Sequence, residues 1–600
     1  MKTVKQYINK VHKGLAALLV SLCVLGAVSC SDFLEIEPQD IIILEKFWNE
    51  KSDVENIVAG CYSGLQTYNI ISRMMVWGEF RSENTIVGQN IEKDISLGRV
   101  LNENIDASNA YTSWNEFYTI INRCNTVILY APRVAERDPG YTESELRATI
   151  AEVSALRDLC YFYLIRTFRD VPYSTQAFTD DDQVMDLPAT KFDVVLDSLI
   201  ADLEQVQNQA VRRYPSTTSD QARYQTGRIT QDAIHAMLCE MYLWKKDYSN
   251  CIRYADMVIE SKKKFAEEEL GKQAGKSNAD SKTKFGGFPL IDSANALGTQ
   301  FGYDFDEIFV EGNSSESIFE LTFTGTDEKM PCNGPCGFFY GDALDNPGYV
   351  LPSDFITTDV KDGQFNVFHT KYDGRAYACL RSIGGGTLYS INKFTTSSNA
   401  YFVDPARDNF NSESSWGSLY GAFWKDNVKH SLNKGNWIVY RLTDIMLLKA
   451  EALSQMMSNS EEATENDLAL ADQAFQLVTA INKRALYQAT LKDTLNPADY
   501  RTKSAMTNLV YDERERELMF EGKRWYDLVR RSQRDGNTSY LLSKVVQKGS
   551  ENSSVVQSKL ARMDAIYWPY NIDELKVNHN LVQNPAFGSG ENGNYEKTAK

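Results

Sequence analysis

The sequence predicts a mainly α-helical protein, in which a framework of helical pairs is interrupted by a loop-rich insertion containing short β-strands. Apolar residues recur at helical spacing through much of residues 111–259 and again beyond Trp437. Between these two stretches the helical spacing is lost, and glycine-rich turns alternate with short β-like runs. The 600 residues are 43% hydrophobic, which is usual for a folded chain and too high for a disordered one.

The first residues carry the features of an export signal. Residues 1–29 contain four lysines and no acidic residue, and an apolar stretch from Leu15 to Val28 follows the positive charges. This stretch is too short to span a bilayer with ease. It therefore predicts a signal peptide over residues 1–29 and not a transmembrane helix.

Cys30 follows directly on this segment. The small residues before it resemble the lipobox of bacterial lipoproteins, which predicts that the mature chain starts at Cys30 and carries a lipid there. Such a lipid would anchor the chain to a membrane that it does not cross. The alternative is ordinary signal cleavage beside an incidental cysteine.

The N-terminal region, residues 30–260, has the pattern of successive amphipathic helices. Three of them are predicted over residues 111–130, 145–168 and 190–209. The second ends at Asp170-Val-Pro, because proline cannot continue a helix. Gly227–Ile259 shows two apolar stripes with a short break and small residues at the crossing, which loosely resembles a tetratricopeptide (TPR) hairpin.

The pattern changes after this region. A loop-rich insertion is predicted over residues 261–435. It contains a short β-like run at Ser317–Phe323 and a concentration of aromatic residues. The C-terminal helical region and tail are predicted over residues 436–600. Helical spacing returns there over residues 468–486 and over Leu509–Arg531, which is predicted to be a single helix.

The charge and the motif content exclude several classes of protein. The chain has 63 Lys+Arg against 81 Asp+Glu, and its net charge of −18 argues against a nucleic-acid binder, which needs a basic face. The five histidines are scattered, so neither a metal nor another cofactor is expected. The HExxH, GxSxG and Walker motifs are absent, and no pair of carboxylates is singled out for glycosidase chemistry.

Cys332 and Cys336 are the only close pair of cysteines in the mature chain. An exported chain permits a disulfide, and the Asn-Gly-Pro turn between the two residues would bring their sulfur atoms together. The sequence leaves a disulfide and two separate thiols equally open.

Several segments share the residue order of one bacterial family. Glu152–Pro172 combines a long helix with the Asp-Val-Pro stop, and Arg441–Leu453 carries Arg, Asp and Ala-Glu-Ala in series. Arg514–Leu528 alternates Arg and Glu ahead of Trp-Tyr-Asp-Leu. These segments resemble the SusD/RagB family of surface lipoproteins from Bacteroidetes. Further matches lie at Asp32–Leu34, Trp114–Asn125 and Ile566–Phe587.

The resemblance implies a fold, a location and a function. It implies four TPR-like helical pairs with an irregular insertion over one face. It also implies a surface-exposed lipoprotein, held at the cell outer membrane by the lipid on Cys30. Family members bind oligosaccharide or polysaccharide and pass it to a SusC-like TonB-dependent transporter, and they are not enzymes. Some relatives serve peptide uptake, so a peptide-binding lipoprotein of the same fold is the alternative.

Two stretches are expected to contact the ligand. The resemblance points to the loop within Met74–Asn84, where the candidates are Trp77, Glu79, Arg81 and Asn84. The second stretch is the insertion, whose aromatic rings would stack on sugar C–H surfaces while polar groups fix the hydroxyls. The candidates there are Phe339, Tyr340, Tyr349, Trp416, Tyr420 and Trp424. For each aromatic residue the alternative is a packing role.

Two further functions stay open from the sequence, a surface hydrolase and a structural lid with negligible ligand affinity of its own. The charges along Arg514–Leu528 are expected to form salt bridges at i,i+3 and i,i+4 spacing. We therefore expect this segment to serve architecture or transporter contact, and not ligand binding.

Overall fold

The structure is a computed structural model that describes most of residues 47–588. The stretches within this range that it leaves out are residues 181, 216–217, 273–284, 295–301, 324–331, 342–346, 362–365, 371, 384–387, 395–400, 404–419, 423–432, 461–462, 487–493 and 550–552.

Helices dominate the described chain. They are α1 (Lys51–Leu65), α2 (Tyr68–Gly78), α3 (Ile95–Leu101), α4 (Asn115–Arg137), α5 (Glu143–Phe168), α6 (Phe192–Val206), α7 (Ser219–Gly227), α8 (Gln231–Lys245), α9 (Tyr248–Lys272), α10 (Tyr303–Phe305), α11 (Gly334–Tyr340), α12 (Asp354–Lys361), α13 (Arg375–Ala378), α14 (Leu442–Met456), α15 (Glu465–Ala485), α16 (Lys503–Leu518), α17 (Arg524–Asp535), α18 (Ser539–Val545), α19 (Ser553–Leu560) and α20 (Ile572–Val577). The mainly helical fold predicted from the sequence is confirmed.

The long helices form one continuous framework. α4 packs on both α1 and α5, α5 packs on α6, and α8 packs on α6 and α9. α9 then packs on α14, which also contacts α15 and α16. The helices before and after the insertion therefore share one framework, although the insertion separates them along the chain.

Local signals in the sequence fix where the framework helices begin and end. At the start of α5, Thr142 Oγ1 accepts a hydrogen bond from the Glu145 backbone N at 3.3 Å, and Glu145 Oε2 accepts one from the Thr142 N at 2.9 Å. Thr230 caps α8 in the same way, since its Oγ1 accepts from the Ala233 N at 3.3 Å. α8 ends at Lys246 in the left-handed conformation, with φ of 67°, and the chain turns back into α9.

The strands are short. They are β1 (Thr85–Val87), β2 (Val171–Pro172), β3 (Ala189–Thr190), β4 (Ser317–Leu321), β5 (Val350–Pro352), β6 (Leu380–Ile383), β7 (Leu388–Ile391), β8 (Tyr401–Val403), β9 (Tyr420–Ala422) and β10 (Trp437–Arg441). In the described chain they pair antiparallel in twos: β1 with β5, β2 with β3, β4 with β10, β6 with β7, and β8 with β9. The β4–β10 pair closes the base of the insertion, and the β1–β5 pair ties the segment after α2 to it.

A tight turn separates α16 from α17. Its backbone has positive φ at Phe520 (67°) and at Gly522 (70°), which ends one helix before the next begins. A Cβ added to Gly78 would collide with the carbonyl oxygen of Gly522, so the end of α2 packs directly on this turn. The prediction of a single helix over Leu509–Arg531 is therefore wrong, because the approach of α2 requires a glycine-containing turn in its middle.

The charges of α16 lie inside the protein. Glu517 is 3% exposed and pairs with the guanidinium groups of Arg375 at 3.0 Å and Arg441 at 2.6 Å, and with Arg484. Burial opposes ionisation of Glu517, but the three arginines outweigh it and hold its pKa well below its ordinary value. These pairs join α16 to α13, β10 and α15.

A second set of buried pairs joins α16 and α17 to α14. Arg514 contacts Asp444 at 3.0 Å and Asp527 at 2.9 Å, and Arg530 contacts Glu451 at 2.5 Å. Burial raises the pKa of Glu451, and Arg530 more than offsets this, so the pKa is lowered to about 2. Most of these salt bridges therefore run between elements in the core, and not along the surface of one helix as the spacing suggested.

Candidate functional site

Three aromatic side chains meet at the surface where α2 approaches the insertion. Phe338 and Tyr349 are half-buried and stack with ring centroids 6.1 Å apart and planes inclined by 29°. Tyr68, at the start of α2, is 43% exposed and meets Phe338 edge-on at 6.2 Å. We call Tyr68, Phe338 and Tyr349 the aromatic platform.

The backbone holds the platform in place. The Tyr349 backbone N donates to the Phe338 carbonyl at 3.0 Å, and the Gly88 N donates to the Tyr349 carbonyl at 2.8 Å. A Cβ added to Gly348 would collide with the Phe339 carbonyl, so only glycine permits this approach. The platform therefore depends on contacts between two segments that are distant in sequence.

A carboxylate lies beside the platform. Asp94 Oδ2 accepts a hydrogen bond from the Tyr111 hydroxyl at 2.5 Å, and its Oδ1 accepts from the Leu97 backbone N at 2.9 Å, which caps α3. Burial raises the pKa of Tyr68, and the nearby charge of Asp94 raises it further; the same two causes raise the pKa of Tyr349. Both phenols therefore keep their protons at neutral pH and remain hydrogen-bond donors.

This arrangement suits a ligand with an apolar face and a hydroxylated edge. Aromatic faces attract C–H groups, while a carboxylate accepts from hydroxyls and phenols both donate and accept. Sugar rings present both kinds of surface. The platform and Asp94 thus offer the two contacts that carbohydrate recognition needs, and they do so on a surface fixed by the scaffold.

The four residues predicted to contact ligand in the loop after α2 lie inside the protein. Trp77, Glu79, Arg81 and Asn84 are each 0% exposed. A ligand cannot reach side chains that have no accessible surface, so this prediction is corrected by the structure. Apart from the Asn84 Oδ1, their polar groups are engaged by the protein itself.

Trp77 and Arg81 are anchors of the core. The Trp77 indole stacks on Phe117 at 5.0 Å and donates to the Tyr111 carbonyl at 2.8 Å. Arg81 pairs with Glu103 at 2.9 Å, where the two side chains are 0% and 1% exposed. Both residues therefore support the packing beneath the platform.

Glu79 caps α17. Its Oε2 accepts from the Lys523 backbone N at 3.3 Å, close to the Arg524 N at 3.5 Å, while Asn84 Nδ2 donates to its Oε1 at 2.9 Å. Burial raises the pKa of Glu79 to about 7, although these hydrogen bonds oppose the rise. The carboxylate thus joins the loop after α2 to the turn between α16 and α17.

Tyr340 also belongs to the core and not to the ligand surface. It is 0% exposed, and its hydroxyl donates to the Phe520 carbonyl at 2.8 Å. The predicted ligand contact of Tyr340 is therefore corrected, and so is that of Phe339, which is equally buried. Successive residues of α11 face different directions, so Phe338 alone of this aromatic run is partly exposed. Phe339 packs against Tyr68 and Tyr349 from the buried side, with ring centroids 6.4 and 6.3 Å away.

Sequence reasoning found Tyr349 but missed three other members of the site. Tyr68 lies six residues before Met74, where the first candidate stretch begins, and Phe338 directly precedes Phe339 and Tyr340. In the sequence, Asp94 has the position of an ordinary helix cap. A search for aromatic residues flanking the chosen stretches would have included Tyr68 and Phe338. No comparable signal marks Asp94.

Several predictions fall where the structure gives no side-chain description. Cys30, Trp416 and Trp424 lie outside the described residues, so the lipid attachment and these two ligand contacts stay predictions. Tyr420 lies in β9, where its backbone pairs with Val403, and its ligand contact also stays a prediction.

The described residues add three findings about chemistry. Cys336 is a buried thiol whose sulfur lies 4.0 Å from that of Met75, and no disulfide joins it to Cys332. Among the described residues, no three His, Cys, Asp or Glu side chains form a cluster able to hold a metal. Within the same part of the chain, no helix has the length and apolar character needed to cross a membrane.

Comparison with known proteins finds similarity to one family. The family model described as the SusD family matches residues 310–587. SusD-like protein P38 from Formosa agariphila is 26% identical over 585 residues, which is 95% of this chain and 98% of the relative. These matches support the SusD/RagB family for this chain. SusD-like protein P25 from the same organism is 24% identical, over 94% of this chain and 97% of the relative.

Solved structures share the fold of this chain. A SusD superfamily protein from Bacteroides vulgatus matches with a TM-score of 0.61 at 16% identity, covering 90% of this chain and all of the other. A protein described as a laminarin-binding SusD-like protein matches with a TM-score of 0.58 at 19% identity, with the same coverage. The TPR-like helical framework expected of the family agrees with this shared fold.

Proposed function

We propose that this chain is a glycan-binding lipoprotein of the cell surface. In this role it captures oligosaccharide or polysaccharide and delivers it to a SusC-like TonB-dependent outer-membrane transporter. The observation that carries the proposal is the aromatic platform, with its rings half-exposed beside the carboxylate of Asp94. The structural neighbour described as laminarin-binding supports it, since that protein binds a polysaccharide on the same fold.

The remaining features of the proposal extend the sequence predictions. A lipid on Cys30 would hold the protein at the outer membrane, and the insertion over residues 261–435 would carry the ligand face. The platform supports this division, because Phe338 and Tyr349 belong to the insertion, whereas Tyr68 comes from the helical framework. We expect the protein to bind the glycan without catalysing a reaction on it.

Affinity gel electrophoresis tests the proposal directly. Soluble protein starting at Ser31 is run through gels that contain different polysaccharides, beside the variants Tyr68→Ala and Tyr224→Ala. These two tyrosines are matched in exposure, at 43% and 44%, but Tyr224 lies in α7 away from the platform. We expect one polysaccharide class to retard the native protein and the Tyr224 variant, and to retard the Tyr68 variant much less.

Other outcomes would reject the proposal in favour of a named alternative. If no polysaccharide retards the protein while a peptide digest gives heat in calorimetry, the chain is a peptide-binding relative. If the retained polysaccharide is shortened after incubation, it is a hydrolase. Equal retardation of the two tyrosine variants would remove the platform from the binding site.

The transporter partnership needs a separate test. The full-length protein is purified from its native membrane in mild detergent. A large outer-membrane β-barrel protein is expected to co-purify with it. Its repeated absence, with the lipoprotein itself recovered intact, would contradict the delivery step but not glycan binding.

A further inference from the structure

A cavity separate from the platform opens beside α4. It has a volume of about 630 Å³ and lies between α4, the segment of residues 172–187 and α20. This volume is within the range of small-molecule sites in proteins. Its aromatic lining includes Trp114, Tyr118 and Tyr161. We call it the α4 pocket.

The interior of the α4 pocket is apolar because its polar side chains are already engaged. The Tyr118 and Tyr161 hydroxyls donate to the Pro172 and Ser174 carbonyls at 2.7 and 2.8 Å. Asn122 both donates to the Phe178 carbonyl at 2.9 Å and accepts from its backbone N at 2.7 Å. These bonds hold the segment that follows β2 against α4. What remains facing the cavity is ring surface and aliphatic surface, from Ile121, Met185, Leu187, Val577 and Leu581.

The polar groups of the α4 pocket lie at its rim. Glu574 is half-buried there and accepts a hydrogen bond from Trp114, and burial raises its pKa. Asn115, Arg123 and Asp186 are exposed beside it. Met185 and Val577 are also exposed, so they lie at the opening, whereas Trp114, Ile121, Tyr161 and Leu581 are buried and form the inner surface. A guest in this pocket therefore finds hydrogen-bonding partners at the exposed edge and mainly apolar contacts further in.

A short polar surface joins the pocket to the platform. Asn69 follows Tyr68 directly, and its Nδ2 donates to Glu116 Oε1 at 2.7 Å. Ser113 Oγ donates to Oδ1 of Asn115, which lines the pocket, at 2.9 Å. The residue after Tyr68 is therefore bonded directly to α4, one position from a residue that lines the pocket.

We propose that the α4 pocket is a second carbohydrate subsite, which takes a sugar unit carrying an apolar substituent, an O-acetyl group. This rests on the proposed function and adds a substrate class to it. An unsubstituted sugar would bury hydroxyls at the inner end without hydrogen-bond partners, which is costly. An acetyl methyl group instead fills that end, while the remaining hydroxyls bond to the rim. The chain would thus prefer acetylated glycans.

The test uses a small probe, so that it does not depend on knowing the natural polysaccharide. Saturation-transfer NMR is recorded with methyl glucoside tetraacetate and with unmodified methyl glucoside. Thr119 lines the pocket and is exposed on α4, so Thr119→Trp blocks the opening. Glu136→Trp is the matched control, because Glu136 is exposed on the same helix about 25 Å further along.

Acetyl methyl signals are expected with the native protein, with Glu136→Trp and with Tyr68→Ala, and clearly weaker signals are expected with Thr119→Trp, in which only the platform remains open. With unmodified methyl glucoside, the native protein and Thr119→Trp should give the same signals. Equal acetyl signals in native protein and Thr119→Trp, or none in the native protein, would overturn the subsite. Tyr68→Ala changes only the platform. If the proposed function fails and the subsite does not, this variant will be retarded by polysaccharide as strongly as the native protein, while Thr119→Trp will still weaken the acetyl signals.

Discussion

Replacing Glu79 by Gln separates the structural role found for this residue from the ligand contact that its sequence position suggested. Glutamine has the same shape but does not ionise. Its oxygen can accept from the backbone N of Lys523, and its amide can donate to Asn84, whose Oδ1 is buried without a partner in the native protein. The substitution therefore keeps the cap of α17 and removes only the titration.

The size of the effect follows from the pKa of Glu79, which burial raises from 4.5 to about 7. Below about pH 4 the carboxyl is protonated in both the folded and the unfolded chain. As the pH rises from about 4 to about 7, the unfolded chain ionises freely, whereas the folded chain keeps its proton until the pH approaches 7 and ionises only at a cost. The raised pKa thus removes about 3 kcal/mol of folding free energy between about pH 4 and about pH 8.

Urea unfolding at a series of pH values measures this loss. The difference in unfolding free energy between Glu79→Gln and native protein is expected to grow by about 3 kcal/mol from pH 4 to pH 8, in favour of the variant. Glu79→Ala, which also cannot ionise but loses the cap, should follow the same slope at lower stability. A difference that does not change with pH would refute the assignment of a buried, titrating cap. Weaker polysaccharide retardation by a stable Glu79→Gln variant would restore Glu79 as a ligand contact.

Three other substitutions test the platform, the core and the anchor. Gly348→Ala should displace Tyr349 and abolish polysaccharide retardation. Gly60→Ala is the control, because a Cβ at Gly60 meets nothing within 4 Å, and it should leave retardation intact. Unchanged retardation of Gly348→Ala would contradict the close approach of Gly348 to the Phe339 carbonyl. Glu517→Gln removes a counter-charge that three buried arginines share, although each keeps a second carboxylate partner, and should cost about 3 kcal/mol in urea unfolding. A change near zero would show the network to be dispensable. Cys30→Ala should release the protein from the membrane fraction, and continued membrane attachment would exclude lipid anchoring through this residue.

The helical framework was predictable because its signals are local. The apolar stripe of α5, the threonine before it and the Asp-Val-Pro after it all lie within one stretch of sequence, and each has a direct structural effect. The family signatures fall on the same elements. Where two distant segments determine the structure, as at the turn between α16 and α17, the local pattern alone gave the wrong boundary.

The loop after α2 shows why the site was harder to predict. Its charged and amide side chains suggest an exposed loop, since such residues are rarely buried without partners. Their partners lie far away in sequence: Arg524 Nε donates to Glu83 at 3.1 Å across 441 residues, and Arg81 donates to the Ile566 carbonyl at 3.0 Å. Periodicity cannot reveal such pairs. The loop therefore had the composition of a ligand surface while forming part of the core.

The same long-range contacts explain how the platform can bind without first becoming ordered. Phe338 lies two residues before Tyr340, whose hydroxyl bonds to Phe520 in the turn that Glu79 and Gly78 pack against. Tyr349 is held by backbone hydrogen bonds on both of its sides. Side chains fixed in this way lose little conformational entropy when a ligand arrives, so more of the contact energy remains as affinity. The buried signature helices thus contribute to binding indirectly, by fixing the surface on which the ligand would rest.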